Sequence, residues 1–346
     1  MISLDKQILD SNSRVADRMK DYGKTDEIFI VVPSREKKIV DLSPSVHVES
    51  AVGGKVGQFF RLYNLGKKII KNNRIETITA QDPFFTGLIG VLLRRRFNIP
   101  LEVQAHGDFY GSGYYRTSGL GNWLRYWLGR WVLGRADRVR AVSQRVRESL
   151  LTLGVSTNKI ELRPIRADLD FIRNYQTRLD LCERYPGYEK IFLVLGRLES
   201  VKNISWLIDV FKEVLRQKNR YLLLIVGGGK EESKIKLQVI SYKLQDNIKF
   251  ESWTNDPISY LKTADCLLFP SLSEGYGLVA MEAAAAGTKV IMTDVGVANY
   301  ELKSAPPKVT IVPVGDRDKF IEAMLKICPV IQPRKFCSAE QKEAAD

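Results

Sequence analysis

Short apolar segments alternate with helical segments along most of the chain, and this alternation limits the possible folds more than any other feature. Each apolar segment has the length of a buried strand. Examples are Ile28–Val32, Leu101–Ala105, Ile191–Leu195, Tyr221–Val226 and Lys289–Met292. Strands that are separated by helices pair in parallel, so the sequence predicts an α/β fold of doubly wound parallel sheets. A length of 346 residues predicts two such domains.

The start of the chain departs from the alternation. Ile8, Leu9, Val15 and Met19 are spaced for one buried face, so Met1–Tyr22 is predicted to be helical. No strand is predicted before this helix. His47 is predicted to lie in a polar loop.

Composition narrows the classes of partner. The hydrophobic content of 45% favours packed cores over disorder, and the net charge of +13 suits nucleic acid, an anionic membrane surface or a phosphorylated substrate. No signature of a nucleic-acid-binding module is present, so no nucleic-acid partner is expected. The four cysteines show no CxxC spacing, so no zinc site is predicted, and a reducing cytoplasm is the simplest compartment. The longest apolar run, Pro83–Leu93, is too short to cross a membrane, and no signal peptide is predicted.

One stretch in the second half has the pattern of an anion site. Ala264–Pro270 is predicted to be a strand, and Leu278–Ala286 a helix that ends at Gly287. The glycine-rich loop between them places backbone N–H groups and a helix N-terminus at the carboxyl end of a strand, where such folds bind phosphates. Glu274 and Glu282 flank this loop as two acceptors.

A second strand end carries cations. Ile191–Leu195 is followed by Gly196, Arg197 and, five residues later, Lys202. A guanidinium fork and a compact ammonium both suit a diphosphate. The alternative is an ordinary turn with solvated cations. The later run Gly227–Lys230 is interpreted as a tight turn, because Glu231 stands where a phosphate-binding P-loop requires Ser or Thr.

Two features of the first half have open interpretations. His106 follows Leu101–Ala105 and is predicted either at the ligand-binding rim of the sheet or in a structural role. Trp123, Trp127 and Trp131 share one helix face, with arginines close by. They are predicted either to form a membrane-docking surface or to pack on the sheet beside a solvated basic face.

The motifs together resemble the retaining GT-B glycosyltransferases of the family 4 type, also described as glycosyl transferases group 1. The resemblance covers residues 75–325 and is most specific for the glutamate pair and the Arg/Lys turn. It rests on Gly196-Arg197-Leu198, Lys202-Asn203, Phe269-Pro270-Ser271, Glu274-Gly275-Tyr276-Gly277-Leu278 and Glu282-Ala283, and more loosely on Gln81-Asp82-Pro83, His106-Gly107-Asp108 and Arg140-Ala141-Val142-Ser143.

The resemblance implies two Rossmann-like domains that face each other across a cleft. The acceptor-side domain is predicted over 1–170, with an incomplete start, and the nucleotide-sugar-binding domain over 189–330. Polar sequence predicts the linker over 171–188 and a polar tail over 331–346. The implied reaction is a metal-independent, cofactor-free hexosyl transfer from a UDP- or GDP-sugar to a glycan or lipid-linked acceptor, with retention of configuration. The implied setting is polysaccharide biosynthesis in the cytoplasm, with possible peripheral contact at the inner face of an anionic membrane.

The resemblance also implies a role for each candidate residue. Arg197 and Lys202 would neutralise the diphosphate, Glu274 would bind the donor sugar, and Glu282 would accept from the ribose. His106 would approach the sugar from the facing domain. The remaining donor-binding residues would be Gly196, Gly275, Tyr276, Gly277, Leu278 and Val279.

The sequence departs from the family at its start. Members usually open with a strand and a glycine-rich loop, and here that first strand is predicted to be missing. Asp168-x-Asp170 matches the metal-diphosphate motif of the other major glycosyltransferase fold, but its polar surroundings build no such site. Two alternative functions remain open at this stage: a nucleotide-sugar epimerase of the same fold, and a truncated donor-binding protein without transferase activity.

Overall fold

The computed structural model describes residues 1–54, 57–165, 167–302 and 309–327, apart from the side chain of Arg14. The polar tail predicted at 331–346 lies outside these residues. The chain forms two compact units, one over Met1–Pro164 and one from Ile165 onward. The predicted linker 171–188 lies within the second unit and includes the short helix Leu181–Arg184.

The first unit contains helices on a mainly parallel sheet. Its helices are α1 (Arg14–Tyr22), α2 (Gln58–Asn72), α3 (Phe85–Phe97), α4 (Tyr114–Thr117), α5 (Leu120–Arg135) and α6 (Gln144–Thr152). Its strands are β1 (Ile28–Ser34), β2 (Ile39–Ser43), β3 (Val46–Val52), β4 (Ile78–Ala80), β5 (Leu101–Ala105), β6 (Arg138–Ala141) and β7 (Ile160–Leu162). The strands pair in the orders β1-β3-β2 and β4-β5-β6-β7, and only β2 runs antiparallel.

The start of the chain differs from the predicted opening helix. Ile2 forms parallel bridges to Val31 of β1 and Ala80 of β4, so an extended segment at Met1–Ser3 joins the two sets of strands. The N–H of Ile2 donates to Thr79 O at 2.7 Å, and the N–H of Ser3 donates to Val31 O at 3.0 Å. Where the sequence predicts that a first strand is missing, the three-residue segment Met1–Ser3 lies between β1 and β4. The helix α1 begins only at Arg14, where Ser13 caps it.

The prediction for His47 is also wrong. His47 lies on β3, in a hairpin with β2, and its Nδ1 is 2.6 Å from Asp41 Oδ1. Val46 and Val48 are fully buried on either side of it. The sequence Val46–Val48 has the alternation of a half-buried strand, and this was the signal that could have located β3.

The second unit has one fully parallel sheet. Its helices are α7 (Leu169–Asn174), α8 (Leu181–Arg184), α9 (Ile204–Leu215), α10 (Glu232–Ser241), α11 (Pro257–Thr263), α12 (Leu278–Ala285) and α13 (Arg317–Leu325). Its strands are β8 (Lys190–Leu195), β9 (Tyr221–Val226), β10 (Ile248–Glu251), β11 (Cys266–Phe269), β12 (Lys289–Thr293) and β13 (Val309–Val312). Phe192, Phe211 and Phe320 are fully buried in its core. The predicted doubly wound α/β fold is confirmed in both units.

Candidate functional site

The strand order of the second sheet identifies its ligand-binding edge. The order is β10-β9-β8-β11-β12-β13, so the chain winds outward from β8 in one direction and from β11 in the other. Open α/β sheets bind ligands at the carboxyl ends of the strands where this reversal occurs. The loop that starts at Gly196 follows β8, and the loop that starts at Pro270 follows β11. Both candidate motifs of the sequence therefore lie at the reversal point.

Glycines allow the loops after β8 and β9 to pack backbone against backbone. Gly227 has a φ of +137°, and a Cβ on it would lie 2.0 Å from Gly196 O. A Cβ on Gly229 would lie 2.3 Å from Leu198 O. The N–H of Leu198 donates to Gly228 O at 3.0 Å. The glycine run after β9 thus supports the Gly196–Leu198 loop, in agreement with its interpretation as a turn.

Lys202 and Glu274 form an ion pair across the reversal point. Lys202 Nζ donates to Glu274 Oε1, and Ser271 Oγ donates to the same oxygen at 2.8 Å. The Lys202 ammonium also lies 5.2 Å from the centroid of the Phe269 ring. The side chains of Lys202 and Glu274 are 23% and 15% exposed, so the pair is partly desolvated yet accessible. The N–H of Leu272 donates to Val201 O at 2.8 Å and ties the two loops together.

A small recess opens beside this ion pair. Its lining includes Gly196, Arg197, Lys202, Phe269 and Ser271. The Arg197 side chain is 69% exposed and pairs with Glu199 Oε1 at 3.1 Å. Two cations from the loop after β8 therefore border one recess, and an anionic ligand placed there could meet both.

The helix that follows the β11 loop presents its N-terminus at the same edge. Gly277 is the N-cap of α12 and has a φ of +91°, which only glycine adopts readily. Tyr276 is buried, and its carbonyl accepts from the N–H of Val297 at 2.8 Å. The N–H groups of the first turn, at Leu278 and Val279, have no acceptor within the helix, as in any helix. Glu282 lies one turn further along α12.

His106 lies in the first unit, at the carboxyl end of β5. Its Nε2 is 2.8 Å from Gln104 Oε1, and Gln104 Nε2 donates to Glu102 Oε1 at 3.4 Å. Glu102 also accepts from Arg163. Glu102, Gln104 and His106 are spaced two residues apart along β5 and its end, so their side chains lie on one side. With Arg163 they form a continuous hydrogen-bonded row of polar side chains. With the Gln104 oxygen as acceptor, we assign the proton to Nε2, which leaves Nδ1 as an acceptor.

The protonation of His106 is shifted towards the neutral form. Desolvation, and then the positive charges of Arg140 and Arg18, lowers the pKa of His106 to about 4. The side chain is exposed to solvent, so the repulsion by the two arginines contributes to this lowering beside the desolvation. His106 is therefore a neutral hydrogen-bonding group above pH 5.

The structure thus brings together Gly196, Arg197, Lys202, Glu274 and the start of α12. The remaining donor-side candidates lie in the loop before this helix, at its N-cap and in its first turns, and they are Gly275, Tyr276, Gly277, Leu278, Val279 and Glu282. Sequence reasoning gave no role to Ser271 and Phe269, which contact the ion pair, or to Gln104, which contacts His106. Their positions next to the predicted residues were the available signal. Asp168 accepts from the N–H of Phe171 at 2.9 Å as the N-cap of α7, and Asp170 pairs with Arg173 at 2.7 Å.

Within residues 1–54, 57–165, 167–302 and 309–327, no three His, Cys, Asp or Glu side chains converge as a metal site would require. Within the same ranges, every helix is too short or too polar to cross a membrane.

Two family models match successive parts of the chain. The model for Glycosyltransferase Family 4 matches residues 23–171, and the model for Glycosyl transferases group 1 matches residues 183–329.

Curated relatives match at moderate identity. The alpha-monoglucosyldiacylglycerol synthase of Streptococcus pneumoniae is 26% identical over 248 residues, which are 67% of this chain and 55% of the relative. The UDP-Gal:alpha-D-GlcNAc-diphosphoundecaprenol alpha-1,3-galactosyltransferase of Escherichia coli is 24% identical over 271 residues, which are 75% of this chain and 68% of the relative. The matched part of the chain therefore spans little more than half of the first relative's length.

Solved structures agree on the fold. The sucrose-phosphate synthase from Thermosynechococcus elongatus superposes with a TM-score of 0.78 at 21% identity, over 94% of this chain and 88% of that one. The E. coli trehalose-6-phosphate protein bound with UDP-2-fluoro glucose superposes with a TM-score of 0.73 at 16% identity, over 94% and 90%. At these identities the likeness shows the fold alone.

Proposed function

Because the chain belongs to the family 4 group of GT-B glycosyltransferases, we propose that it transfers a hexosyl group from a nucleotide-diphosphate sugar with retention of configuration. The observation that carries the proposal is the Lys202–Glu274 pair at the reversal point of the second sheet, beside Arg197 and the N-terminus of α12. Cations suited to a diphosphate border the recess there, and a carboxylate suited to sugar hydroxyls is paired with one of them.

We assign the diphosphate to Arg197, Lys202 and the first turn of α12. Arg197 and Lys202 would offset the charge that develops on the leaving group, and the N–H groups of Gly277, Leu278 and Val279 would donate to its oxygens. Gly196, Gly275 and Tyr276 would shape the two loops. Stabilisation of this kind comes from donors that are already in place, so the proposed reaction needs no metal ion or cofactor.

We assign the donor sugar to Glu274. An ionised carboxylate has about four lone-pair positions, and Lys202 and Ser271 donate to one of its oxygens, Oε1. The remaining positions could accept from sugar hydroxyls while the ion pair stays intact. Glu282, one turn into α12, would accept from the ribose hydroxyls of the donor. His106 would bind the transferred sugar as a neutral group.

We propose a lipid-linked or glycan acceptor, in the setting of polysaccharide biosynthesis. Of the two relatives, one is named for a monoglucosyldiacylglycerol and the other for a GlcNAc-diphosphoundecaprenol. Such acceptors reside in membranes, and this supports a protein that works peripherally at the cytoplasmic face of an anionic membrane. The net charge of +13 suits an anionic membrane surface.

The experiment is a turnover assay with UDP- and GDP-hexoses, with and without a membrane lipid extract as acceptor. We expect release of the nucleoside diphosphate to depend on the acceptor. The product should carry the anomeric configuration of the donor, as read by proton NMR. Conversion of the donor to an isomer without acceptor would instead support the epimerase. Nucleotide binding without turnover would support a donor-binding protein.

The lowered pKa of His106 leads to a prediction on pH. If the neutral side chain binds the sugar, kcat should show no break from this residue near pH 6.5, because protonation occurs only near pH 4. His106→Ala should lower kcat by about 10–100-fold, as expected for the loss of one hydrogen bond to the transferred sugar. Gln104→Leu should cause part of this loss by releasing Nε2. A wild-type break near pH 6.5 that disappears in His106→Gln would contradict the assignment.

A further inference from the structure

One helix of the first unit exposes a continuous apolar surface. We define the apolar face of α5 by Leu120, Trp123, Leu124, Trp127 and Trp131. Their exposed fractions are 74%, 44%, 55%, 47% and 38%. Successive members are one, three or four residues apart, so they form a stripe along one side of the helix. The alternative from the sequence, in which the tryptophans pack on the sheet, is wrong.

The opposite side of α5 is the buried one. Gly129, Val132 and Leu133 are the buried residues of this helix. A Cβ on Gly129 would lie 2.1 Å from Tyr110 Oη, and a Cβ on Gly87 of α3 would lie 2.7 Å from Val132 Cγ1. The helix therefore lies tightly on its own unit through small residues. Its orientation is set by this packing, which leaves the aromatic side outward.

An ion pair between Arg94 and Asp137 joins the end of α3 to the residues that follow α5. Arg94 at the end of α3 donates twice to Asp137, which follows α5, with both distances 2.6 Å. Asp137 also accepts from the N–H of Leu101 at 2.8 Å. These contacts fix the carboxyl end of α5 against α3 and β5. The apolar face is thus a preformed surface.

The charge around the face has one sign. Residues 109–136 include the four arginines 116, 125, 130 and 135 and no aspartate or glutamate. The Arg135 guanidinium lies 3.9 Å from the centroid of the Trp131 ring, and that of Arg130 lies 5.6 Å from the Trp127 ring. Cations held beside exposed indole rings complement anionic headgroups, while the rings match the boundary of the acyl region.

We propose that the apolar face of α5 docks on an anionic lipid bilayer. A helix of 16 residues offers a straight stripe of about 24 Å, which suits a planar interface. Tryptophans belong at the boundary of headgroups and acyl chains, and arginines reach the headgroup phosphates from the flanks. The lack of acidic residues over 109–136 favours a negatively charged surface over a mixed-charge protein partner. Only the reason for docking, which is access to a lipid-linked acceptor, rests on the proposed function.

The experiment measures lipid binding of the full chain without any sugar donor, so that its failure is distinct from a failure of the proposed reaction. The probe is large unilamellar vesicles of 30 mol% phosphatidylglycerol in phosphatidylcholine, compared with pure phosphatidylcholine. We expect co-sedimentation with the anionic vesicles and a several-fold loss of binding at 0.5 M salt. Three of the five tryptophans lie on the face, so tryptophan emission should shift to shorter wavelength on binding.

Two sets of variants separate the apolar and charged contributions. Trp123→Ser/Leu124→Ser/Trp127→Ser should lower the partition coefficient at least tenfold. Arg125→Gln/Arg130→Gln/Arg135→Gln should lower it by about a hundredfold on anionic vesicles, since each basic residue near the surface contributes roughly a fivefold factor. The matched control is Leu237→Ser/Ile240→Ser, which removes two exposed apolar residues from α10 of the second unit. The control should bind as wild type does.

Several results would overturn the proposal. The proposal is wrong if wild-type protein does not co-sediment with anionic vesicles, or if it binds anionic and pure phosphatidylcholine vesicles equally. Face variants that fold, as judged by circular dichroism, and still bind like wild type would overturn it as well. A concentration-dependent dimer that the apolar triple variant abolishes in analytical ultracentrifugation, without vesicle binding, would assign the face to a second copy of the chain instead.

Discussion

Lys202→Met is expected to lower kcat for sugar transfer by about 10²–10³-fold, equivalent to roughly 3–4 kcal/mol of transition-state stabilisation. The substitution keeps an unbranched stem near the Phe269 ring and removes the charge that lies at the mouth of the recess. The diphosphate would then depart without its nearest fixed cation. The measurement is steady-state release of nucleoside diphosphate with saturating acceptor.

Two control variants separate loss of the Lys202 charge from a general loss of stability. Lys234→Met removes a lysine from the exposed surface of α10, where it pairs with Glu231 at 3.4 Å, and it should leave kcat unchanged. The double variant Lys202→Met/Glu274→Gln removes both charges, so it avoids a partly buried carboxylate without its cation. If the pair only stabilised the fold, this double variant would recover activity. We expect it to recover stability and not activity.

Gly227→Ala is expected to destabilise the second unit by about 3 kcal/mol or more and to lower its Tm by roughly 6–12 °C. The φ of +137° is one that an L residue rarely adopts. In addition, the new Cβ would lie 2.0 Å from Gly196 O, and backbone cannot move aside as a flexible side chain can. Because Gly196 begins the loop that carries Arg197 and Lys202, donor affinity should fall as well. Differential scanning calorimetry measures the stability change.

The neighbouring glycine provides the control. A Cβ on Gly228 would meet only Glu232 Oε2, at 3.3 Å, and this is the end of a flexible side chain. Gly228→Ala should therefore change the free energy of unfolding by less than about 1 kcal/mol. Equal losses in the two variants would contradict the backbone-contact explanation.

The sequence predicted the layered fold well because its strands are buried on both faces. Leu101–Ala105 and Tyr221–Val226 have the bounds that were predicted. Tyr221–Val226 is apolar throughout, as buried parallel strands usually are, whereas Leu101–Ala105 alternates apolar residues with Glu102 and Gln104. Met1–Ser3 could not be recognised in this way, because three residues carry no periodicity and their pairing depends on β1 and β4, which lie far along the chain.

The sequence predicted which residues belong to the candidate site, but not which of them contact one another. Lys202 and Glu274 were each assigned to the donor, but their pairing joins positions 72 apart in sequence. It follows from the adjacency of β8 and β11, which strand order alone determines. In the same way, Gly227 was interpreted as a turn residue, and only the fold shows that it contacts Gly196.

The orientation of α5 could not be predicted either. A stripe of tryptophans at helical spacing is equally consistent with a buried face and an exposed one. The small residues Gly129 and Gly87 decide the matter, since they let the helix approach its unit from the other side. That information lies in the contacts between α3 and α5.

The proposed function requires that a nucleoside diphosphate bind between the loop after β8 and the N-terminus of α12. Hydrogen–deuterium exchange of the full chain, with and without UDP and with and without GDP, tests it most directly because it needs no acceptor. We predict slower exchange in peptides covering 196–203 and 274–282 with one of the two nucleotides, and loss of this protection in Lys202→Met. Protection confined to other parts of the chain, or none with either nucleotide at saturating concentration, would show that the diphosphate does not bind at this site.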